Sequence, residues 1–138
     1  MDKKHFGLIL SVILIDYILK FFIPFKVRNY GAAFDILEEF RWTLIFISFL
    51  ALFLFLYLFD KDDLSRIGLS LLIGGTLGNL FDRLIFGFVI DYIPFYDLFY
   101  FNVADVANFL GLVFLVFIRE TKEKELEEKV LKKDINKR

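Results

Sequence analysis

Long apolar runs alternate with short polar clusters along this chain, and the runs have membrane-spanning length. A hydrocarbon core of roughly 30 Å takes about 20 apolar residues in a helix. Four segments qualify: Phe6–Ile23, Trp42–Phe59, Ile67–Phe86 and Phe99–Ile118. The second carries no charge, and the first is interrupted only by Asp16 and Lys20. The third holds Asp82 and Arg83 near its far end, and the fourth holds Asp105 in its first turns. The pattern predicts an all-α fold, a four-transmembrane-helix bundle that makes residues 1–138 one integral membrane domain.

Composition agrees. The 138 residues are 58% hydrophobic, with 20 Phe and a mean hydropathy of +0.62, too apolar for an ordinary soluble domain. The net charge of −1 conceals segregation, because residues 119–138 form a Glu/Lys-rich tail with oppositely charged pairs at helical spacing. That tail is expected to be a solvated helix without chemistry. The chain has no cysteine and one histidine, His5, expected to be solvated in the charged N-terminal stub. Thiolate metal sites are excluded, and neither a metal nor a cofactor is expected. The first run reads as a retained helix: charges interrupt it, and Ile23-Pro24-Phe25 offers no small-residue cleavage site.

Lys and Arg give a direction. With a cytoplasmic N-terminus, Lys3, Lys4, Lys61, Arg66 and the tail lie inside, against only Lys26, Arg28 and Arg41 in the outer loops. The positive-inside bias places both termini in the cytoplasm. Lys20, Asn29, Arg83, Asp91 and Asp105 then collect at one depth, near the outer face.

Several of these groups have structural readings as well as chemical ones. Asp16 and Lys20, at i and i+4, share a helix face and serve as a self-neutralising pair or an anchor to another helix. Asn29 and Gly31 mark a turn, and the Asn29 amide is also placed to bond a peptide or a carboxylate. The Gly74-x-x-x-Gly78 spacing predicts close helix packing. Asn79, Asp82 and Arg83 form one polar face. Asp82 and Arg83 either snorkel to the interface or, in the case of Arg83, hold a substrate carbonyl or an aspartate. Asn102 and Asp105, at i and i+3, suit a helix cap.

Asp91 and Asp105 carry the strongest signal. An ionised carboxylate costs roughly 2.5 kcal/mol or more at mid-bilayer depth, so those retained beside apolar segments are commonly functional. Two carboxyls within a few ångströms share one proton. The ionised member takes a proton from water while the protonated member polarises an amide carbonyl, the division of labour in aspartic proteases.

Five motifs occur in an order that resembles lipoprotein signal peptidase, the signal peptidase II family. They are Asp16-Tyr-Ile-Leu-Lys20, Asn29-Tyr-Gly-Ala-Ala-Phe34, Gly74-Gly-Thr-Leu-Gly-Asn-Leu-Phe-Asp-Arg83, Gly87-Phe-Val-Ile-Asp91 and Phe101-Asn-Val-Ala-Asp105. The resemblance runs from the first span to Ile118. It implies an aspartyl endopeptidase of the bacterial inner membrane that removes signal peptides from diacylglyceryl-modified prolipoproteins. The dyad falls on Asp91 and Asp105. Asp16, Lys20, Asn29, Asn79, Asp82, Arg83 and Asn102 fall on positions that support the dyad or hold substrate. It also implies membrane lipids as partners, inhibition by globomycin, and no nucleic-acid partner. The family's extended extracytoplasmic segment, thought to form a small substrate-cradling sheet, is cut to Phe21–Arg28 here, so that cradle is expected to be reduced or missing.

Two other classes stay open on the residues alone. A small transporter predicts carboxylates spread along a path across the bilayer. A non-enzymatic assembly factor predicts polar groups that only join helices, and tolerance of Asp→Asn at one of the two aspartates.

Overall fold

The helices follow the apolar runs, and identifiable residues stop them. The computed structural model describes residues 2–31, 41–59, 63–96 and 98–135. Helix α1 (Lys3–Phe22) ends where Pro24 disfavours helical backbone at the preceding residue, and Ile23 turns extended with ψ 121°. Strand β1 (Val27–Asn29) follows, then α2 (Arg41–Leu58) and α3 (Asp63–Ile85). Three short strands, β2 (Val89–Asp91), β3 (Ile93–Phe95) and β4 (Phe99–Phe101), lead into α4 (Val103–Ile135).

Helix α3 is the centre of the bundle, packed on α4, α1 and α2. Its glycines allow the close approach that their spacing predicts. A Cβ on Gly74 would stand 2.9 Å from Val12 Cβ, and one on Gly78 would stand 3.2 Å from Ala104 Cβ. A Cβ on Gly75 would collide with the Ala104 carbonyl. The apolar core, including Ile9, Ile45, Leu69 and Ile73, fills the space between these helices. Gly87, at φ 89°, ends α3 in the left-handed conformation, and its N–H donates to the Arg83 carbonyl at 3.1 Å. Arg41 Nη2 donates to the same carbonyl at 2.9 Å, tying the start of α2 to the end of α3.

Large apolar side chains cover the outside. Phe21, Phe22, Trp42, Phe53 and Tyr57 are all exposed. Helices α1 and α2 are long and apolar enough to cross a membrane.

The fold is mostly helical, but the all-α expectation leaves out two antiparallel ribbons. Strand β1 pairs with β2, with Val27 opposite Asp91 and Asn29 opposite Val89. Strand β3 pairs with β4, with Ile93 opposite Phe101. The segment expected to be reduced is therefore short yet still supplies β1. The fourth helix starts at Val103 instead of Phe99, because Phe99–Phe101 is a strand and Asn102 caps the helix. The tail continues α4 to Ile135, with Arg119 Nε 2.9 Å from Glu123 Oε1.

His5 corrects another expectation. It is buried, not solvated: its Nδ1 lies 2.7 Å from Asp2 Oδ1, and its ring meets the Phe59 ring edge-on. The Ala32-Ala33-Phe34 limb of the Asn29 motif, Lys61 and the last three tail residues lie outside the described residues.

Candidate active site

Asn102 is the residue through which the two aspartates meet. It precedes α4 as the N-cap, fully buried, and its Oδ1 accepts the Asp105 N–H at 2.9 Å. Asp105 answers, its Oδ2 accepting the Asn102 N–H at 3.1 Å. This is the reciprocal arrangement of a capping box, with Asp in the usual place of Glu. The Asn102 side-chain amide donates to Asp91 Oδ1 at 2.7 Å and also lies 2.9 Å from Asn79 Oδ1. Asn79 Nδ2 in turn donates to Asp105 Oδ1 at 2.7 Å.

Asp91 is brought in by the ribbon. The β1–β2 register sets Asn29 opposite Val89, two residues before Asp91, and Asn29 Nδ2 reaches along the ribbon to donate to Asp91 Oδ2 at 3.0 Å. Asn29 Oδ1 accepts the Gly31 N–H at 3.0 Å, so the turn reading and the carboxylate reading of this residue both hold. All four oxygens of the two carboxyl groups thus accept an N–H. Burial pushes the Asp91 carboxyl up to about 6; the Asn29 amide opposes this rise, and the charge of Asp105 adds to it.

A cavity of about 400 Å³ opens beside this network. Asp105, Asn29, Asn79 and Arg83 contribute its polar lining, and Ile47, Ala51, Val89 and Phe99 contribute apolar walls. Asp105 faces the cavity directly. Asp91 is only 1% exposed and reaches the lining through Asn29 and Asn102.

Asp16, Lys20 and Asp82 form a second buried cluster. Lys20 Nζ stands 2.5 Å from Asp16 Oδ2 and 2.7 Å from Asp82 Oδ2, so the pair on α1 is also an anchor to α3. Asp82 does not snorkel to the interface. The cluster's excess negative charge is met by donors on the side of Asp91 and Asp105. Asp16 Oδ1 accepts from Tyr92 Oη at 3.1 Å and from the Ala104 N–H at 3.3 Å, in the first turn of α4. There the helix dipole favours an anion. Asp82 Oδ2 accepts the Ile90 N–H at 3.0 Å, fixing the residue before Asp91.

The nine residues singled out in the sequence therefore fall into two adjoining clusters, with Arg83 at the cavity wall. Arg83 Nη2 donates to the Gly31 carbonyl at 2.9 Å, and its buried Nε has no partner among the described residues. Sequence reasoning missed Tyr92. Its hydroxyl accepts the Val103 N–H at 3.1 Å while donating to Asp16, so it clasps α1 to the start of α4. Burial pushes this phenol up from its ordinary value and keeps it a donor. The available signal was a tyrosine directly after Asp91. Arg41 was missed as a cap on α3, and Thr76 and Asn108 as cavity-lining polar groups.

Comparison with known proteins places the chain in a family. The profile described as Signal peptidase (SPase) II matches residues 8–119. A lipoprotein signal peptidase of Bartonella quintana (strain Toulouse) is 43% identical over 109 residues, covering 72% of this chain. The match spans 65% of that relative's length, just under two thirds. One from Photorhabdus laumondii is 43% identical over 120 residues, covering 78% of this chain and 70% of its own. One from Wigglesworthia glossinidia brevipalpis is 33% identical over 144 residues, covering 85% and 94%. A bacterial membrane enzyme solved by the in meso method at 2.3 Å resolution superposes with a TM-score of 0.82 at 26% identity, covering 88% of this chain and 90% of that one. With matching sequence over most of its length, a matching membrane-enzyme fold and apolar helices exposed on its outside, the chain belongs to the signal peptidase II family of membrane peptidases.

Proposed function

We propose that this chain is an intramembrane aspartyl endopeptidase that removes the signal peptide from diacylglyceryl-modified prolipoproteins. Asp91 and Asp105 share one proton. The observation that carries the reading is the Asn102 bridge, which bonds both carboxyl groups at the edge of the cavity. Family membership supports the substrate class, since the relatives compared are lipoprotein signal peptidases.

The chemistry follows from one shared proton. A water in the cavity attacks the carbonyl carbon preceding the lipidated cysteine. The ionised aspartate takes the water's proton, and the protonated one hydrogen-bonds the oxyanion as it forms. Collapse of the tetrahedral intermediate breaks the C–N bond, and the dyad delivers a proton to the leaving amine. Asn29, Asn79 and Asn102 hold the carboxyl groups in place. Arg83, which lines the cavity, sits beside the scissile carbonyl or supports the site electrostatically. The Lys20 cluster supports the dyad from behind without touching substrate. Acyl chains lie on the apolar outer faces, where each buried methylene contributes about 0.8 kcal/mol. Globomycin competes for the same cavity.

Topology completes the reading. Helices α3 and α4 span the bilayer beside α1 and α2, both termini face the cytoplasm, and the site lies near the outer face of the bacterial cytoplasmic membrane. The described polar groups favour this over a transport path: both clusters occupy one end of the bundle, at the C-terminal ends of α1 and α3 and the start of α4.

The test is cleavage of a diacylglyceryl-modified precursor by the purified chain in lipid vesicles, with products located by mass spectrometry. Cleavage before the modified cysteine, and slow cleavage of the unmodified precursor, is expected. Equal rates on both would remove the lipid from recognition, and no cleavage of either would overturn the reading.

A further inference from the structure

Beyond the aspartates, the cavity is lined by polar groups that the cleavage chemistry does not use. Thr76 and Asn108 both line it, and Thr76 Oγ1 donates to Asn108 Oδ1 at 3.3 Å. Asn108 lies three residues after Asp105 on α4, and Thr76 three residues before Asn79 on α3. Each is therefore about 4.5 Å along its helix from the carboxyl network, at 1.5 Å per residue. Helix α4 runs away from the network and α3 runs toward it, so both displacements point into the bundle.

The Asn108 amide sits where a side chain on α3 is missing. A Cβ on Gly75 would come within 2.6 Å of Asn108 Oδ1. The amide's other end, Nδ2, donates to no described residue. Exchanging the two ends leaves the same balance, one end on the Thr76 hydroxyl and one toward the cavity. Ile47 and Ala51 on α2 face the same space, and Ser48 between them already donates its hydroxyl to the Leu44 carbonyl at 2.9 Å.

A signal peptide crosses the bilayer as a helix that bonds its own backbone. Attack on one of its peptide bonds requires that stretch to unwind, and freed N–H and C=O groups at membrane depth need protein partners. We infer that Thr76 and Asn108 form a backbone-binding subsite for the unwound peptide groups just N-terminal to the scissile bond. This rests on the peptidase reading above. The N-terminal side is assigned because a signal peptide reaches the site from the cytoplasmic side and the pair lies deeper than the aspartates. The subsite reads backbone, so it tolerates varied signal-peptide side chains.

The experiment uses lipidated precursor peptides in which each of the three amides N-terminal to the scissile bond is replaced in turn by an ester. The ester deletes an N–H and weakens the carbonyl acceptor. One ester position is expected to lower kcat/KM about tenfold with the unmodified enzyme. Asn108→Leu and Thr76→Val should each lower kcat/KM on the all-amide peptide by a similar factor. In those variants the sensitive ester should carry no further penalty, whereas Thr76→Ser should retain normal behaviour. Ester penalties that persist undiminished in both variants would overturn the subsite and leave Thr76 and Asn108 as packing contacts, with the peptidase reading intact. Failure of the unmodified enzyme to cleave any lipidated peptide would overturn both.

Discussion

Asn102 and Asp105 cap each other at the start of α4: the Asn102 side-chain oxygen takes the Asp105 N–H at 2.9 Å, and the Asp105 carboxylate takes the Asn102 N–H at 3.1 Å. One local motif therefore starts the helix and fixes the rotamer of a proposed catalytic group. The Asn102 amide extends that order to Asp91 at 2.7 Å.

The two duties of Asn102 are separable. Serine caps a helix about as well as asparagine but has no amide to reach Asp91, so Asn102→Ser should unfold near the normal temperature while kcat falls at least tenfold. Asn102→Ala should add a loss of about 1 kcal/mol of stability. Thermal unfolding in detergent and steady-state cleavage read the two effects separately.

Lys20 pairs with two buried carboxylates at once, at 2.5 and 2.7 Å. Lys20→Met leaves both without their cation, and a broken buried pair costs about 3–5 kcal/mol. The unfolding temperature should drop sharply, and adding Asp82→Asn should restore part of it. A Lys20→Met protein as stable as the original would show that the cluster carries no such role.

Proton occupancy sets the pH response. The Asp91 carboxyl, ordinarily near 3.8, is held up to about 6. The reaction needs one proton on the pair, so kcat/KM should fall as pH rises above about 6, approaching tenfold per pH unit. Stability moves the same way. Between 3.8 and about 6 the folded chain holds this proton more tightly than the unfolded chain. Its contribution is full below 3.8 and is lost as pH rises through 6, and Asp91→Asn should flatten that slope.

Gly75 and Gly7 make a matched pair. A methyl on Gly75 would strike the Ala104 carbonyl, one residue before Asp105, whereas one on Gly7 meets nothing within 4 Å. Gly75→Ala should lower both the unfolding temperature and kcat. Gly7→Ala should leave kcat unchanged and raise stability by up to about 1 kcal/mol, because alanine favours helix.

The helices and the site differ in how far they were legible. Helix positions came from apolar length, and the candidate groups came from charges with no reason to lie beside membrane spans. The strands were hidden, because three-residue segments carry no usable alternation, and Val27–Asn29 pairs with a partner about sixty residues away. Phe99–Phe101 read as helix because its apolar residues continue the fourth run without a break. His5 looked solvated because its partner Phe59 lies far along the chain. Asn102 was visible as a cap, but its bond to Asp91 depends on the β1–β2 ribbon and could not be read from spacing.

The proposed chemistry needs one proton shared by Asp91 and Asp105, and single-turnover cleavage of the lipidated precursor by Asp91→Asn and Asp105→Asn measures it. Both folded variants should lose about 10³-fold or more in rate, and the double variant should be little worse than either, as for groups that act as one unit. Retained turnover in either single variant, at an unchanged unfolding temperature, would contradict it.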